Sequence, residues 1–266
     1  MGKVKEFRKK HGCLYAFLIG CVVFIVGIIV LIILVKNAIN LFGLSMKEFQ
    51  EYMNLLNREV NESTLASDPI TNQDFISFKT KADEAGFKIL DDKNDVNLAL
   101  VTIPIESNIT LSGYEVGAML SNGFANNSDY NSLKILQFTI TQGTYFKIKT
   151  VLKIDFTKIK QAIGSVANDL PNSIYLTCES VATASTTGNP SNRLILTDSV
   201  LRVNQLNDEE NAKIIKLLNE MTSDKKDTLK FENLSDKIIS EVITKIAQAS
   251  NCYLTLGGGT LTLNKF

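Results

Sequence analysis

Histidine is almost missing from this chain. The 266 residues contain one, His11, and no tryptophan. Every residue beyond position 11 therefore lacks an imidazole. Serine and cysteine hydrolases of the Ser-His-Asp or Cys-His kind have no base to use there. Cys/His zinc sites have almost no ligands to draw on. Only four cysteines are present, and two of them, Cys13 and Cys21, fall in an apolar run near the N-terminus. No metal and no cofactor is expected from this inventory. Excess positive charge is also lacking, since 28 basic residues meet 28 acidic ones. The balance is uneven along the chain. Residues 1–12 carry five basic residues against Glu6, while residues 37–266 carry 22 basic and 27 acidic. A weakly acidic body argues against nucleic acid as a partner, because that would demand a basic face.

What the chain does have is a long stretch without charge. Cys13 to Val35 is 23 residues free of Asp, Glu, Lys and Arg. At about 1.5 Å per residue a helix of that length crosses a hydrocarbon core of roughly 30 Å. The basic cluster before it and the lone Lys36 after it place the N-terminus in the cytoplasm and the body outside. Leu18-Ile19-Gly20-Cys21 has the residue classes of a lipobox. The fourteen residues after Cys21, "VVFIVGIIVLIILV", are nevertheless as apolar as those before it. A lipidated cysteine opens a polar tether, so an uncleaved spanning helix is the better reading. The organisation expected is a basic cytoplasmic tail (1–12), a transmembrane helix (13–35), a juxtamembrane helix (36–60) and an extracytoplasmic domain (61–266). A part of about 230 residues can bury a substantial core.

Within the body, capping signals mark the helices. Ser45-x-x-Glu48 starts one whose apolar face is Phe49, Tyr52, Met53, Leu56 and Val60, either a stalk or a helix packed on the domain. "VNESTLASDPITNQ" (60–73) reads as a polar linker. A helix is expected near Asp74–Ala85, closed by Gly86, then strands at Phe87–Leu90 and 97–105. Ser112-x-x-Glu115 caps a helix with Val116, Met119, Leu120 and Phe124 inward. The segment 133–156 alternates with period two. Phe146, Ile148, Leu152, Ile154 and Phe156 take one face, Leu136, Phe138 and Ile140 supply the partner strand, and Gly143 the turn. A helix near Thr157–Asn168 follows, then strands at about 173–182 and 193–204 around the loop "TASTTGNPSN". Asn207-x-x-Glu210 caps a helix with Ile214, Leu217, Leu218 and Met221. Leu234 to Ala249 is amphipathic, and the end is a glycine hairpin. The fold class expected is α+β, with a long antiparallel sheet packed on amphipathic helices.

Chemical motifs are weak. Gly257-Gly258-Gly259 lacks the Lys-Ser/Thr of a phosphate loop and reads as a hairpin turn. Ser223-x-x-Lys226 has a Ser–Lys spacing without its companion motifs. Glu209-Glu210 complements a helix dipole. Asp91-Asp92-Lys93-Asn94-Asp95 lacks the glycine and glutamate of a calcium loop. Lys147, Lys149 and Lys153 share a strand face that is either solvated or turned to anionic headgroups or a wall polymer. Cys178 and Cys252 both point inward by parity, as a disulfide or as two buried thiols. Asn61, Asn108 and Asn233 open glycosylation sequons.

"ITLSGYEVGAMLSN", the hairpin "LKILQFTITQGTYFKIKTVLKIDF" and "LPNSIYLTCESV" together resemble membrane-anchored exported proteins of low-GC Gram-positive bacteria, some of them similar to tubular lipid-binding (TULIP-like) domains. The resemblance spans roughly residues 107–204. It implies a curled antiparallel sheet on helices with a lipid-binding groove, and transfers no site residue. The function expected is a non-enzymatic, membrane-anchored extracytoplasmic module binding lipid or an envelope component. The alternative is a structural or regulatory partner of another cell-envelope protein.

Overall fold

The structure, a computed structural model, describes residues 45–86, 105–125, 132–157, 160–161, 171–185, 193–222 and 234–266. The 13–35 span, the strand expected at 87–90, all but Ile105 of that expected at 97–105, the 91–95 loop, Ser223, Lys226, and most of the helix expected at 157–168 lie outside these residues. No described helix is long and apolar enough to cross a membrane.

The described chain is α+β, with two antiparallel sheets. Helix α1 (Met46–Leu56) begins with the expected capping box: Glu48 N–H donates to Ser45 Oγ (3.2 Å) and Ser45 N–H to Glu48 Oε2 (2.7 Å). It packs on the domain, with Met53, Leu55 and Leu56 buried in the main core. A one-turn helix α2 (Glu62–Leu65) and helix α3 (Asn72–Glu84) follow. Strand β1 (Ile109–Ser112) runs directly into α4 (Gly113–Ala125). The hairpin is β2 (Leu133–Gln142) and β3 (Phe146–Asp155), followed by β4 (Ser173–Ser185) and β5 (Arg193–Val203). Helices α5 (Asp208–Thr222) and α6 (Leu234–Ala249) lead to the closing hairpin β6 (Cys252–Gly257) and β7 (Thr260–Lys265).

The larger sheet has the order β2-β3-β4-β5 and the smaller β1-β7-β6. Alternation sends Ile148, Ile154, Ile174, Leu176, Cys178, Leu201 and Val203 to the inner face, where they share one core with residues of α1, α3, α4, α5, α6 and the small sheet. Burying each such aliphatic side chain contributes about 1.5–3 kcal/mol. Two bulges break the register. One, between Ile135 and Gln137, turns Leu136 to the outer face, whereas strict alternation had put it inward with Phe138 and Ile140. The other sets Asp198 and Ser199 opposite Ser180, with Asp198 in the left-handed region (φ 53°). Such a bulge bends the strand and strengthens its twist.

The segment expected as a linker, 60–73, is instead a packed strap across the outer face. Ala66 joins Leu136, Val151 and Tyr175 in a second buried cluster, with Val60 and Leu65 against it. Ile70 N–H donates to Leu136 O (2.8 Å). Four apolar side chains spaced through a polar stretch (Val60, Leu65, Ala66, Ile70) were enough to bind it down.

Candidate functional site

The four-stranded sheet has two edges, and the chain treats them differently. An uncovered edge is a row of unpaired N–H and C=O groups. The β2 edge is closed by α4, which approaches so closely that a Cβ on Gly113 would lie 2.8 Å from both Ile140 N and Phe138 O. Ile70 takes a further carbonyl there. The β5 edge is capped by side chains. Thr244 Oγ1 on α6 accepts from Leu194 N–H (3.0 Å). At the other end, Asn211 on α5 accepts from Val203 N–H (2.9 Å) and donates to Leu201 O (2.7 Å). Its amide thus imitates a neighbouring strand. Between these caps lies the bulge, and among the described residues no side chain caps the edge from Leu196 to Val200.

Between β5 and α5, reaching from the Asn211 cap to Ser199 and Val200 of that stretch, lies a groove of about 650 Å³. Its apolar lining is Val200, Leu201, Ala212 and Ile215, and its polar lining includes Arg202, Asp208, Asn219 and Ser199. Val200 is 53 % exposed. Arg202 is held by Asp208 (2.6 Å) at the end where α5 begins. A groove of this volume falls in the range of small-ligand sites, and its lining mixes four apolar residues with six polar or charged ones.

Two carboxylate clusters lie elsewhere. Glu115 is 4 % exposed. Burial raises its carboxyl, but the Lys81 ammonium (2.7 Å), the Ser77 hydroxyl (2.5 Å) and Ser112 N–H (2.7 Å) outweigh this and hold it below the ordinary value. Lys81 also donates to Thr110 O (3.0 Å), blunting the β1 edge. All these groups satisfy one another, so the cluster is a structural joint between α3, β1 and α4. The capping box had shown only the Ser112 half of it. On the outer face, Glu62 Oε1 accepts from Lys153 Nζ (2.5 Å) and Tyr175 Oη (2.6 Å). Those two donors hold its carboxyl below the usual range. Tyr114 Oη donates to Asp68 nearby on the strap.

The expected lysine stripe is therefore divided. Lys153 is bound to the strap, whereas Lys147 and Lys149 have no ion pair among the described residues. Glu209 and Glu210 do not act as a pair. Glu210 takes Arg58 (2.6 Å) and caps α5 with Asn207, and Glu209 faces Lys213 (3.5 Å). Gly258 and Gly259, both at positive φ (56° and 77°), make the hairpin turn. Asn61 caps α2, and Asn108 Oδ1 accepts from Lys265 N–H (2.9 Å). Cys178 and Cys252 are both buried and unbonded to each other. Cys252 donates to Ala247 O (3.3 Å), and burial pushes its thiol up to about 12. Among the described residues no group of three His, Cys, Asp or Glu could hold a metal.

No family model, curated protein or solved structure matches this chain. The resemblance to exported lipid-binding domains therefore stays a pattern of elements. The edge caps Asn211 and Thr244 had no sequence signal beyond being polar residues on otherwise periodic helices.

Proposed function

We propose that this chain is a single-pass, membrane-anchored, extracytoplasmic module without enzymatic activity, and that it binds a lipid or another small envelope component. The observation that carries this reading is the groove between β5 and α5, lined by Val200, Leu201, Ala212 and Ile215 together with Arg202, Asp208 and Lys216. Such a lining suits an amphiphile. The apolar run at 13–35, preceded by five basic residues and one acid, supplies the anchor and its orientation. The packed inner face of the sheet leaves the edge as the better place for a ligand than the sheet's interior.

The test is native mass spectrometry of the full chain released from detergent, together with displacement of a fluorescent fatty-acid probe. A co-purified lipid, and a probe that Val200→Glu no longer binds, are expected. A bare chain that binds no probe refutes the reading. The uncapped backbone of β5 favours one alternative, a regulatory or structural partner that adds an extended segment to this edge. Cross-linking in membranes that captures one stoichiometric protein, with no lipid in the groove, favours that alternative.

A further inference from the structure

The β2–β3 hairpin ends in an exposed turn, Gly143-Thr144-Tyr145. Tyr145 is 66 % exposed. Lys147 and Lys149 follow it on the outer face. Neither meets a carboxylate within ion-pair distance among the described residues. The side chains around them on that face are Thr139, Thr141, Val181 and Thr183, with one acid, Glu179, in register with Lys149. Further along the sheet Lys153 meets Glu62, and at the β5 edge Arg202 meets Asp208. In a body of net acidic charge, this tip is locally cationic and carries an exposed aromatic.

The direction of the N-terminal helix adds an independent constraint. Helices α1 and α5 run antiparallel, because Arg58 meets Glu210 and Glu51 meets Lys213. Helix α5 in turn runs back along β5, from Asp208 beside Arg202 to Asn219 in the groove with Ser199. Strand β5 begins at Arg193, opposite Ser185, at the same end of the sheet as Phe146 and the turn. The N-terminal end of α1 thus points toward the Tyr145 end. Nine residues, 36–44, separate the apolar run from Ser45. Fully extended they reach at most about 30 Å.

We propose that the β2–β3 tip docks on the surface of the bilayer that anchors the chain, with Tyr145 at the interface and Lys147 and Lys149 against anionic headgroups. This rests on the reading of residues 13–35 as a membrane span. Tyrosine suits the interface because it joins an apolar ring to a polar tip. Two lysines near an anionic surface together favour contact by roughly 30-fold at low salt, and the effect decays over a Debye length of about 8–10 Å. An anionic bilayer matches the cationic tip, the short tether and the direction of α1 together.

The experiment uses the full chain with Cys13→Ser and Cys21→Ser, reconstituted into nanodiscs of phosphatidylcholine with or without phosphatidylglycerol. A fluorophore on Thr144→Cys reports proximity to a lipid-borne quencher, and one on Glu59→Cys, at the opposite end of the sheet, serves as reference. Continued protection of Cys178 and Cys252 from labelling verifies the fold. Quenching at 144 at least threefold above that at 59 is expected in discs with phosphatidylglycerol, reduced toward the reference by Lys147→Glu/Lys149→Glu and by high salt. Equal quenching at 144 and 59, or no change on charge reversal, overturns the docking. A chain that does not enter the discs overturns the membrane reading of residues 13–35 itself.

Discussion

Asn204 shows how much one side chain can carry. It is 1 % exposed and left-handed (φ 48°). Its Oδ1 accepts from Tyr175 N–H (2.8 Å), its Nδ2 donates to Leu56 O (2.7 Å), and its own N–H donates to Tyr175 O (2.9 Å). It therefore ties the last turn of α1 to the start of β4. Asn204→Gly keeps the backbone conformation and removes only the side chain. It leaves a buried donor and acceptor unpaired, at about 1–3 kcal/mol each. A loss of roughly 2–6 kcal/mol is expected by urea titration in detergent, with α1 the first element to lose amide protection. Glu115→Gln should cost about 1–3 kcal/mol. The lower end applies because Lys81, 42 % exposed, can turn to water. The thiols follow the same logic of burial. In a Cys13→Ser/Cys21→Ser background, Cys178 and Cys252 should resist a thiol reagent until the chain is unfolded, and then both should react. One reactive thiol in the native state would contradict the packing.

Among the elements, α4 packs tightly on β2. A Cβ on Gly117 would lie 2.6 Å from Phe138 Cβ and 2.5 Å from Ile70 Cδ1. Alanine gains about 1 kcal/mol in a helix interior. Overpacking costs about 1–3 kcal/mol, and the Phe138 Cβ cannot swing away. Gly117→Ala should therefore destabilise, and Ile70→Ala should partly rescue it, read by thermal melts of both variants. The helices themselves were legible in the sequence because capping boxes and the 3.6 period are local. Ser45/Glu48, Ser112/Glu115 and Asn207/Glu210 each start a helix where expected, and Leu234–Ala249 matches in both bounds. The hairpins were legible for the same reason, in the alternation of 146–156 and the glycines at 257–259. The strap was not. Val60, Leu65, Ala66 and Ile70 have no period; the first three are held by a second cluster supplied by β2, β3 and β4, and Ile70 by the main core, all far away in sequence. The β2 bulge hid the outward turn of Leu136, since alternation cannot announce its own break. The groove was invisible because it lies between two elements, and spacing along either one does not announce it.

At the scale of the whole molecule, carboxylates hold the joints. Glu62 binds the strap to the sheet, Glu115 joins α3 to α4, and Glu210 links Arg58 to α5. Each is held below its ordinary value of 4.5 by its partners. A depressed folded value means that the unfolded chain takes up protons first. The stabilisation is thus present above the ordinary carboxylate range and is lost as pH falls through the folded values. Denaturation midpoints should be flat around neutrality and decline below about pH 4.5. Glu62→Gln/Glu115→Gln should decline less steeply. The strap fixes what remains available for function. It covers the Leu136–Tyr175 end of the outer face and leaves the tip and the β5 edge open. The most direct measurement is photo-cross-linking in intact membranes from p-benzoylphenylalanine in place of Val200. The account predicts a lipid adduct at this position, reduced by Ile215→Glu on the opposite wall. A chain that yields no lipid adduct, while the same probe in place of Val35 yields one, would contradict it.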